Sequence, residues 1–294
     1  MSDVAFLCLG TMGYPMAGHL RSAGHNLSVY NRTATRAADW VEQHGGHASD
    51  TAAGAAEGAE WVFVCTGNDE DLRSVVLAES GAFAGMREGA VLIDHTTASP
   101  SLAVELAEHA SQRGLGFLDA PVSGGQAGAE AGTLTIMLGG EEDSYARVAP
   151  ILECYAKKQL LMGPAGAGQL TKMVNQICIA GLVQSLAEGI HFAKRSGLDV
   201  ARVIEVISQG AAQSWQMDNR ADTMDAGQYD FGFAVDWMRK DLGIALQEAQ
   251  RHGAQLPVAA LVDQFYADLQ ESGGGRLDTS SLLKRLERLE PLED

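Results

Sequence analysis

The sequence predicts an α/β fold, a doubly wound parallel sheet followed by an all-α C-terminal domain that is joined to it by a long central helix. Two observations carry this prediction. Short β-rich runs alternate with helical patterns in the first half of the chain, and only helical patterns follow a long apolar stretch that starts near residue 168. The 294 residues are enough for about two domains with full cores.

Each predicted strand of the first half is apolar and bounded by turn residues, and a helical pattern separates it from the next. The strands are expected at Val4–Leu9, Asn26–Tyr30, Trp61–Cys65, Val91–Asp94 and Gly116–Leu118, with Thr133–Leu138 as an extension of the sheet. The helices are expected at Tyr14–Ala23, Arg36–His44, Asp69–Leu77, Ser101–Arg113 and Ser144–Glu153. Strands that alternate with crossover helices predict a parallel sheet.

The character of the chain changes after the loop-like segment Gly163-Pro164-Ala165-Gly166, so we predict domains at 1–164 and 165–294. A mostly apolar helix from Gly168 to about Arg195 is expected to be buried on most sides. Further helical patterns follow at Asp199–Ile207, Val235–His252, Val258–Glu271 and Ser280–Leu289.

Composition excludes some classes of partner. A formal net charge of −17 argues against a nucleic-acid or anionic-membrane partner, because both require a basic surface. No continuous apolar run reaches about 18 residues, so no membrane span is expected. The four cysteines have neither CxxC spacing nor a nearby histidine pair, which predicts a reduced, cytoplasmic protein without a disulfide framework or a metal site.

The turn after the first strand is a candidate dinucleotide-binding loop. Its residues are Leu9, Gly10, Thr11, Met12 and Gly13, and the helix that follows carries Pro15 in its first turn. Glycines at such a turn let the backbone approach a pyrophosphate at the helix N-terminus. The full fingerprint is GxGxxG, and Cys8 occupies its first glycine position, so a purely structural turn remains an alternative.

The end of the second strand bears on which nicotinamide cofactor is bound. NAD-binding units of the Rossmann type carry an acidic residue here to hold the ribose 2′-hydroxyl, whereas this chain has Asn31, Arg32 and Thr33. A guanidinium and a hydroxyl suit a 2′-phosphate. The sequence therefore favours NADP, with a solvated surface arginine as the alternative.

Two segments that follow strands are candidates for substrate contact. Ser123, Gly124 and Gly125 offer a hydroxyl and backbone N–H groups suited to a carboxylate, although a plain tight turn uses the same residues. The segment from Asp94 to Pro100 leaves a strand end, where ligands of open parallel sheets bind. His95 lies in it, but a lone histidine is more often structural than catalytic.

Lys172 is the strongest catalytic candidate, because a surface charge is not expected near the start of an apolar helix. Asn175 and Gly168 share its helical face at spacings of three and four residues. A lysine acts as acid and base only where burial or a neighbouring positive charge, such as an oxidised nicotinamide, lowers its pKa. The alternative is a lysine that extends from a helix end to solvent.

Residue type and pattern assign other roles further along the chain. Lys240 and Asp241 are expected to form a solvated charge cluster, and Trp215 and Phe233 are expected in the core.

Taken together, these motifs resemble the β-hydroxyacid dehydrogenase family, which includes 3-hydroxyisobutyrate dehydrogenase and the glyoxylate/succinic semialdehyde reductases. The resemblance spans nearly the whole chain, through LGTMGYPMAGHL, DHTTASP, DAPVSGG, AGTLTIMLGG, GAGQLTKMVNQ and KDLGIAL. It implies that Lys172 is the general acid/base and that Asn175 orients a small carboxylate-bearing substrate. It also implies the remaining roles: Ser123, Gly124 and Gly125 for the carboxylate, Thr97 and Lys240 near the nicotinamide, and Phe233 in the cleft. Family members are homodimers or homotetramers, so one of these states is expected.

The chain departs from the family's pattern at Cys8, at Gln176, where a second asparagine is usual, and at Thr96, where serine is common. Cys8 leaves the geometry of the phosphate loop open, and Gln176 could alter substrate choice. Two other functions remain alternatives. An imine reductase shares this domain plan but carries Asp or Tyr at the lysine position, and a non-catalytic cofactor-binding protein would use the same fold without chemistry.

Overall fold

The computed structural model describes residues 1–288 and divides them into two compact units, Met1–Lys172 and a second that begins at Met173. The strands of the first unit are β1 (Asp3–Leu7), β2 (Asn26–Tyr30), β3 (His47–Ala48), β4 (Trp61–Val64), β5 (Val91–Asp94), β6 (Gly116–Asp119), β7 (Val122–Ser123), β8 (Leu134–Gly140) and β9 (Ala156–Leu161). Its helices are α1 (Gly13–Ser22), α2 (Ala34–His44), α3 (Ala52–Ala56), α4 (Asp69–Leu77), α5 (Ala82–Gly85), α6 (Pro100–Ser111), α7 (Gly125–Glu130) and α8 (Glu142–Leu152).

The first unit is a doubly wound sheet, as the sequence predicts. Its strand order is β3-β2-β1-β4-β5-β6-β8-β7, with β9 paired to β8, and the strands from β3 to β6 are all parallel. β8 is antiparallel to both β6 and β7. The strand order reverses between β1 and β4, and the carboxyl ends of strands beside such a reversal are where ligands of open α/β sheets bind.

Burial explains why the central strands are so clear in the sequence. Every residue of β4 and β5 is buried, because helices cover both faces of the sheet. One buried cluster includes Phe6 and Trp40, and the cluster on the other face includes Leu7 and Leu92. A strand covered on both faces has an uninterrupted apolar run, which is the pattern that predicted it.

The bounds of β2, β5 and α4 are those predicted, and the other predicted elements of this unit differ by one or two residues at one or both ends. The short or polar elements were not predicted. They are β3, α3, α5, β7, α7 and β9. β9 has the sequence AKKQLL, and its residues are exposed or half-buried, so it lacks the apolar signature of a central strand.

The second unit is all-α, as predicted. Helix α9 (Ala167–Arg195) begins in the first unit and continues into the second. It is followed by α10 (Val200–Ile207), α11 (Trp215–Asp225), α12 (Val235–His252), α13 (Pro257–Glu271) and α14 (Leu282–Arg288). The predicted end of the last helix, Leu289, lies outside the described residues. α11 was missed because its mean hydropathy is low, with the sequence WQMDNRADTMD.

The expected core position of Trp215 is wrong, and that of Phe233 is not. Trp215 is 50% exposed, with the guanidinium of Arg220 over its ring at 5.0 Å, whereas Phe233 packs against the core of the second unit. The ring of Trp215 is therefore covered by an arginine side chain and not by the core, which residue type alone does not predict.

Helix α9 is long and apolar enough to cross a membrane by length and composition, and 44% of its most apolar window is buried within the protein. The core helix of a soluble protein has the same properties, so this is weak support for a span. The expectation of no membrane partner stays a prediction.

Candidate active site

The loop after β1 has the backbone shape that the glycine fingerprint requires, even though its first glycine is replaced. Cys8 is in the left-handed region with φ 73°, the conformation that glycine adopts most easily. A Cβ on Gly13 would lie 2.2 Å from the carbonyl oxygen of Cys8, so the start of α1 can approach the loop only with glycine there. A Cβ on Gly10 would meet no atom within 4 Å, which leaves the loop backbone open to a ligand. The loop residues fit a pyrophosphate at the N-terminus of α1.

Leu9 and Asn31 hold this loop against the end of β2. The backbone N–H of Leu9 donates to Asn31 Oδ1 at 3.0 Å, and Asn31 Nδ2 donates to the carbonyl of Thr33 at 3.0 Å. Arg36 Nε donates to the carbonyl oxygen of Leu9. Leu9 is buried and Asn31 is half-buried. The hydrogen bonds that hold the loop are made to the backbone of Leu9. Thr11 is exposed and Met12 half-buried on the same loop.

Arg32 and Thr33 lie directly after β2, beside the brace that Asn31 forms through its side-chain hydrogen bonds to Leu9 and Thr33. The side chain of Arg32 is 84% exposed, and its Nη1 lies 3.1 Å from Asp71 Oδ1. Thr33 is the N-cap residue of α2, but its hydroxyl makes no capping hydrogen bond to that helix. An exposed guanidinium and an uncommitted hydroxyl at a helix N-terminus suit an anionic group such as a 2′-phosphate.

His95 is structural, which is the role that sequence analysis favours for a lone histidine. It is 2% exposed, its ring stacks on Phe63 with centroids 5.8 Å apart, and both ring nitrogens are engaged. Because a carbonyl can only accept, Nδ1 donates to Ala120 O at 2.7 Å, and Nε2 then accepts from the hydroxyl of Tyr155 at 2.8 Å. Burial lowers the pKa of His95 to about 4, so the ring is neutral at physiological pH.

The segment after β5 is tied to the segment after β4, which lies beside the reversal of strand order. The backbone N–H of Thr66 donates to Thr96 Oγ1 at 2.9 Å, and that of Thr96 donates to Asp94 Oδ1 at 2.9 Å. Asp94 is completely buried, and this burial raises its pKa to about 7. Thr97, half-buried, is the next residue along.

Gln169 fixes the backbone on both sides of Thr97, and sequence analysis assigned it no role. Its Nε2 donates to the carbonyl of Thr96 at 2.8 Å, and its Oε1 accepts the N–H of Ala98 at 3.1 Å. The side chain is completely buried on the first turn of α9. A glutamine in an apolar helix was the available signal, because such a residue needs partners for its amide.

Asp119 caps the start of the same helix. Its Oδ1 accepts the N–H of Gly166 and its Oδ2 accepts the N–H of Gln169, both at 2.8 Å. Burial raises the pKa of Asp119, and these backbone hydrogen bonds oppose the rise because they favour the carboxylate. The end of β6 therefore sets where α9 begins, and a negative charge at a helix N-terminus also suits the helix dipole.

Two glycines let α9 start this close to the sheet. A Cβ on Gly168 would lie 2.5 Å from the carbonyl oxygen of Met137 and 2.8 Å from Asp119 Oδ2. A Cβ on Gly139 would lie 2.5 Å from Asp119 Oδ1 and 2.8 Å from the N of Gly168. Both positions exclude any side chain, which accounts for one glycine in each of the motifs AGTLTIMLGG and GAGQLTK.

Lys172 follows one turn later on α9 and is only 7% exposed. Lysine is rarely buried to this extent. The structure therefore supports the reading in which this side chain does not extend to solvent. Its position is set by the helix start that Asp119 and Gln169 hold.

The residues that would receive a substrate carboxylate are accessible. Ser123 ends β7 and is half-buried, while Gly124 and Gly125 are exposed. Gly124 has φ 130° and Gly125 φ 60°, conformations that favour glycine. Two successive glycines of this kind present backbone N–H groups without side chains in the way.

Asn175 and Lys240 belong to one polar chain in the second unit. Asn175 Nδ2 donates to Gln176 Oε1 at 2.8 Å, Gln176 Nε2 donates to Asp241 Oδ2 at 2.6 Å, and Lys240 Nζ lies 3.1 Å from Asp241 Oδ1. Asp241 and Gln176 are each 1% exposed. The predicted solvated cluster at Lys240 and Asp241 is therefore wrong, because the carboxylate is buried and holds the amide of Gln176.

The Asp241 carboxylate fixes the orientation of both amides. A carboxylate only accepts, so Gln176 directs its NH₂ group to Asp241 and its oxygen to Asn175. Asn175 must then donate to Gln176, and its own oxygen faces away from that bond. Gln176, the residue that departs from the family's pattern, has the length to join the two.

Phe233 is half-buried, and its backbone N–H donates to Asp278 Oδ2 at 2.8 Å.

Among residues 1–288, no group of three or more His, Cys, Asp or Glu side chains is arranged to hold a metal ion. The same residues contain no disulfide.

The dinucleotide-binding loop at the sheet reversal and the helical second unit define a two-domain nicotinamide-dependent oxidoreductase. Residues 3–163 match the family model of the NAD-binding domain of 6-phosphogluconate dehydrogenase. Residues 166–286 match the model described as the NAD-binding domain of NADP-dependent 3-hydroxyisobutyrate dehydrogenase. The chain belongs to the β-hydroxyacid dehydrogenase family, whose members are NAD(P)-dependent hydroxyacid dehydrogenases.

Individual relatives agree with this assignment. An uncharacterized oxidoreductase of Shewanella frigidimarina is 62% identical over 98% of this chain and 99% of its own. The 3-hydroxyisobutyrate dehydrogenase of Pseudomonas aeruginosa is 36% identical, with 97% and 98% covered. The structure of Mycobacterium tuberculosis 3-hydroxyisobutyrate dehydrogenase with L-serine has a TM-score of 0.87 at 31% identity, with 97% and 99% covered. An imine reductase from Pseudomonas sp. is more distant, with a TM-score of 0.64 at 21% identity and 97% and 99% covered, and shares the fold alone.

Proposed function

We propose that this protein transfers a hydride between NADP(H) and a small β- or γ-hydroxyacid or semialdehyde that bears a carboxylate, with Lys172 as the general acid/base. The observation that carries the proposal is the burial of Lys172, 7% exposed, on a helix start fixed by Asp119 and Gln169. A lysine that is held in place and largely shielded from water suits a general acid/base, because it can exchange its proton with a reacting oxygen at a fixed position.

The reduced nicotinamide supplies the hydride when it is bound. In the reducing direction, the ammonium of Lys172 gives one proton to the oxygen of the carbonyl group as that oxygen gains negative charge. In the oxidising direction, the neutral amine of Lys172 accepts the hydroxyl proton. Both steps use the same side chain in its two protonation states, as general acid in one direction and as general base in the other.

Two features of the first unit support NADP over NAD. Arg32 offers an exposed guanidinium at the end of β2, where NAD-specific units place a carboxylate. Thr33 adds a hydroxyl at the N-terminus of α2 that makes no capping bond to that helix. Asn31 lies beside them and holds the dinucleotide-binding loop through its side-chain hydrogen bonds.

The substrate's carboxylate is proposed to bind at Ser123, Gly124 and Gly125, whose positive φ angles at both glycines expose the backbone. The names of the relatives support this class of substrate. Hydroxyisobutyrate and the L-serine bound to the Mycobacterium tuberculosis enzyme are both carboxylates with a β-hydroxyl group. Asn175, oriented by Gln176, is proposed to orient the substrate, and Phe233 is proposed to contact the substrate. Lys240 and Thr97 are proposed to lie near the nicotinamide.

We also propose that the protein is cytoplasmic and assembles as a homodimer or homotetramer. No disulfide joins its cysteines in the described residues, which suits a reducing compartment. Light scattering on the purified protein distinguishes the two assemblies.

The first experiment follows NADPH oxidation with glyoxylate, succinic semialdehyde, tartronate semialdehyde and methylmalonate semialdehyde, with NADH and a carboxylate-free cyclic imine in parallel. Activity on one semialdehyde with NADPH preferred supports the proposal. Activity on the imine alone would replace it with imine reduction. Tight NADPH binding with no turnover of any compound would favour a non-catalytic cofactor-binding protein.

Lys172→Ala tests the acid/base role directly. Turnover is expected to fall by at least about a thousandfold while NADPH binding, measured by fluorescence titration, changes little. Lys158→Ala removes an exposed lysine from β9 and serves as the control. A Lys172→Ala protein that is folded and keeps its turnover would remove the proposed role of this residue.

A further inference from the structure

We propose that Asp71 weakens the preference of this protein for NADP(H) over NAD(H), because its carboxylate shares the guanidinium of Arg32 that would otherwise be committed to the 2′-phosphate. This inference rests on the proposed use of NADP(H) and names the residue that limits it. Arg32 Nη1 and Asp71 Oδ1 are 3.1 Å apart, although the two residues are 39 positions apart in sequence.

The carboxylate is the fixed member of this pair. The N–H of Asp71 donates to Asn68 Oδ1 at 2.8 Å, and Asn68 Nδ2 donates back to Asp71 Oδ2 at 3.3 Å. Asn68 is the N-cap of α4, so the carboxylate lies in the first turn of that helix, where the helix dipole stabilises its charge. The side chain of Asp71 is 36% exposed and that of Arg32 84% exposed. Asp71 therefore has a set position, and Arg32 adapts to it.

The pair lies beside the dinucleotide-binding loop. Asn31, next to Arg32, accepts the N–H of Leu9 in that loop. The thiol of Cys8 also senses both charges. Burial raises the pKa of Cys8 to about 12, with Asp71 contributing to the rise and Arg32 opposing it. The carboxylate and the guanidinium thus both act on the part of the protein where the cofactor's phosphates are proposed to bind.

A 2′-phosphate and a 2′-hydroxyl would meet this pair differently. The phosphate brings close to two negative charges to a guanidinium whose positive charge is already partly neutralised by the Asp71 carboxylate, so the phosphate gains less from that guanidinium. A hydroxyl brings no charge and can donate to a carboxylate, which is the role of the acidic residue in NAD-binding units. Asp71 should therefore penalise NADP(H) and leave NAD(H) unaffected or favoured.

Asp71→Asn removes the charge and keeps the shape, and Glu70→Gln is the matched control. Glu70 is exposed in the same first turn of α4, so its substitution changes the net charge of that turn equally. The dissociation constants of NADPH and NADH are measured by fluorescence titration at two salt concentrations. The ratio of the NADH constant to the NADPH constant is expected to rise about tenfold in Asp71→Asn, more at low salt, and less than twofold in Glu70→Gln.

Arg32→Gln, alone and combined with Asp71→Asn, shows how the carboxylate acts. Because the proposal routes the effect through the guanidinium, Asp71→Asn should change the ratio much less when Arg32 is absent. An equal effect in both backgrounds, or equal ratios for Asp71→Asn and Glu70→Gln, would overturn the inference. If Arg32→Gln leaves NADPH binding unchanged, the proposed NADP site itself fails, which is a separate result.

Discussion

The carboxylate of Asp119 accepts the backbone N–H of Gln169 at 2.8 Å, which joins the end of β6 to the first turn of α9. Its other oxygen accepts the N–H of Gly166 at the same distance. Three residues beyond Gln169 lies the buried Lys172. The position of the proposed catalytic side chain therefore depends on a residue that lies 53 positions earlier in the chain.

Asp119→Asn is expected to destabilise the protein by about 2–4 kcal/mol, because an amide can accept only one of the two N–H groups and turns a donor towards the other. The free energy of unfolding is measured by chemical denaturation. Asp143→Asn makes the same change at an exposed position in the first turn of α8 and should cost less than about 0.5 kcal/mol. Similar values for both variants would show that the cap contributes little.

Gln169→Glu is expected to lower kcat/KM by about a hundredfold while the fold is retained. A carboxylate at this position cannot donate to the carbonyl of Thr96, so the backbone on either side of Thr97 shifts, and small displacements at a reacting centre are costly. Gln159→Glu, on β9, is the control. Gln159 Nε2 also donates to a backbone carbonyl, that of Ala149, at 2.7 Å. Steady-state kinetics in which both variants lose the same activity would contradict a role specific to Gln169.

Gln176→Asn shortens the side chain by one methylene, so it can no longer bridge Asn175 and Asp241. The amide of Asn175 then loses its fixed orientation, and KM for the carboxylate substrate is expected to rise about tenfold with a smaller change in kcat. Gln184→Asn, on the same helix, removes a similar bond to Glu188 of 2.7 Å and should leave KM unchanged. An unchanged KM in Gln176→Asn would show that Asn175 is oriented without this bridge.

His95→Gln is expected to change how stability depends on pH. Burial lowers the folded-state pKa of His95 from 6.5 to about 4, so its contribution is complete above pH 6.5 and is lost as pH falls towards 4, by about 3 kcal/mol in total. Burial raises the pKa of Asp94 from 3.8 to about 7, and its contribution is lost as pH rises across that range. The two effects oppose each other in the native protein.

Removal of His95 should therefore expose the effect of Asp94. The unfolding free energy of His95→Gln minus that of the native protein is expected to increase as pH falls from 6.5 to 4. This trend is expected whatever the difference between the two proteins is at pH 7. His47→Gln, at an exposed position, should follow the native profile. Parallel profiles for the native protein and His95→Gln would show that the pKa of His95 is the same in the folded and unfolded states.

The sheet and the long helices were predictable because burial leaves a pattern in neighbouring residues, as in β5, whose four residues are all buried. Lys172 was recognisable because its charge contradicts the apolar helix around it. Asp119 and Gln169 were not assigned a role, since their partners lie 47 to 73 residues away. Cys8 left the loop geometry open, and the structure resolves it, because cysteine adopts the left-handed conformation that the missing glycine would have.

The brace formed by Asn31 limits how cofactor choice can be redesigned. The familiar route to NAD specificity is an aspartate at the end of the second strand. Here that side chain both accepts the N–H of Leu9 and donates to the carbonyl of Thr33, and an aspartate can perform only the first task. A change at position 31 would alter the loop itself along with its selectivity. Exposed Arg32 offers laboratory evolution a separable target, where cofactor preference can be exchanged without rebuilding the scaffold that holds the nucleotide.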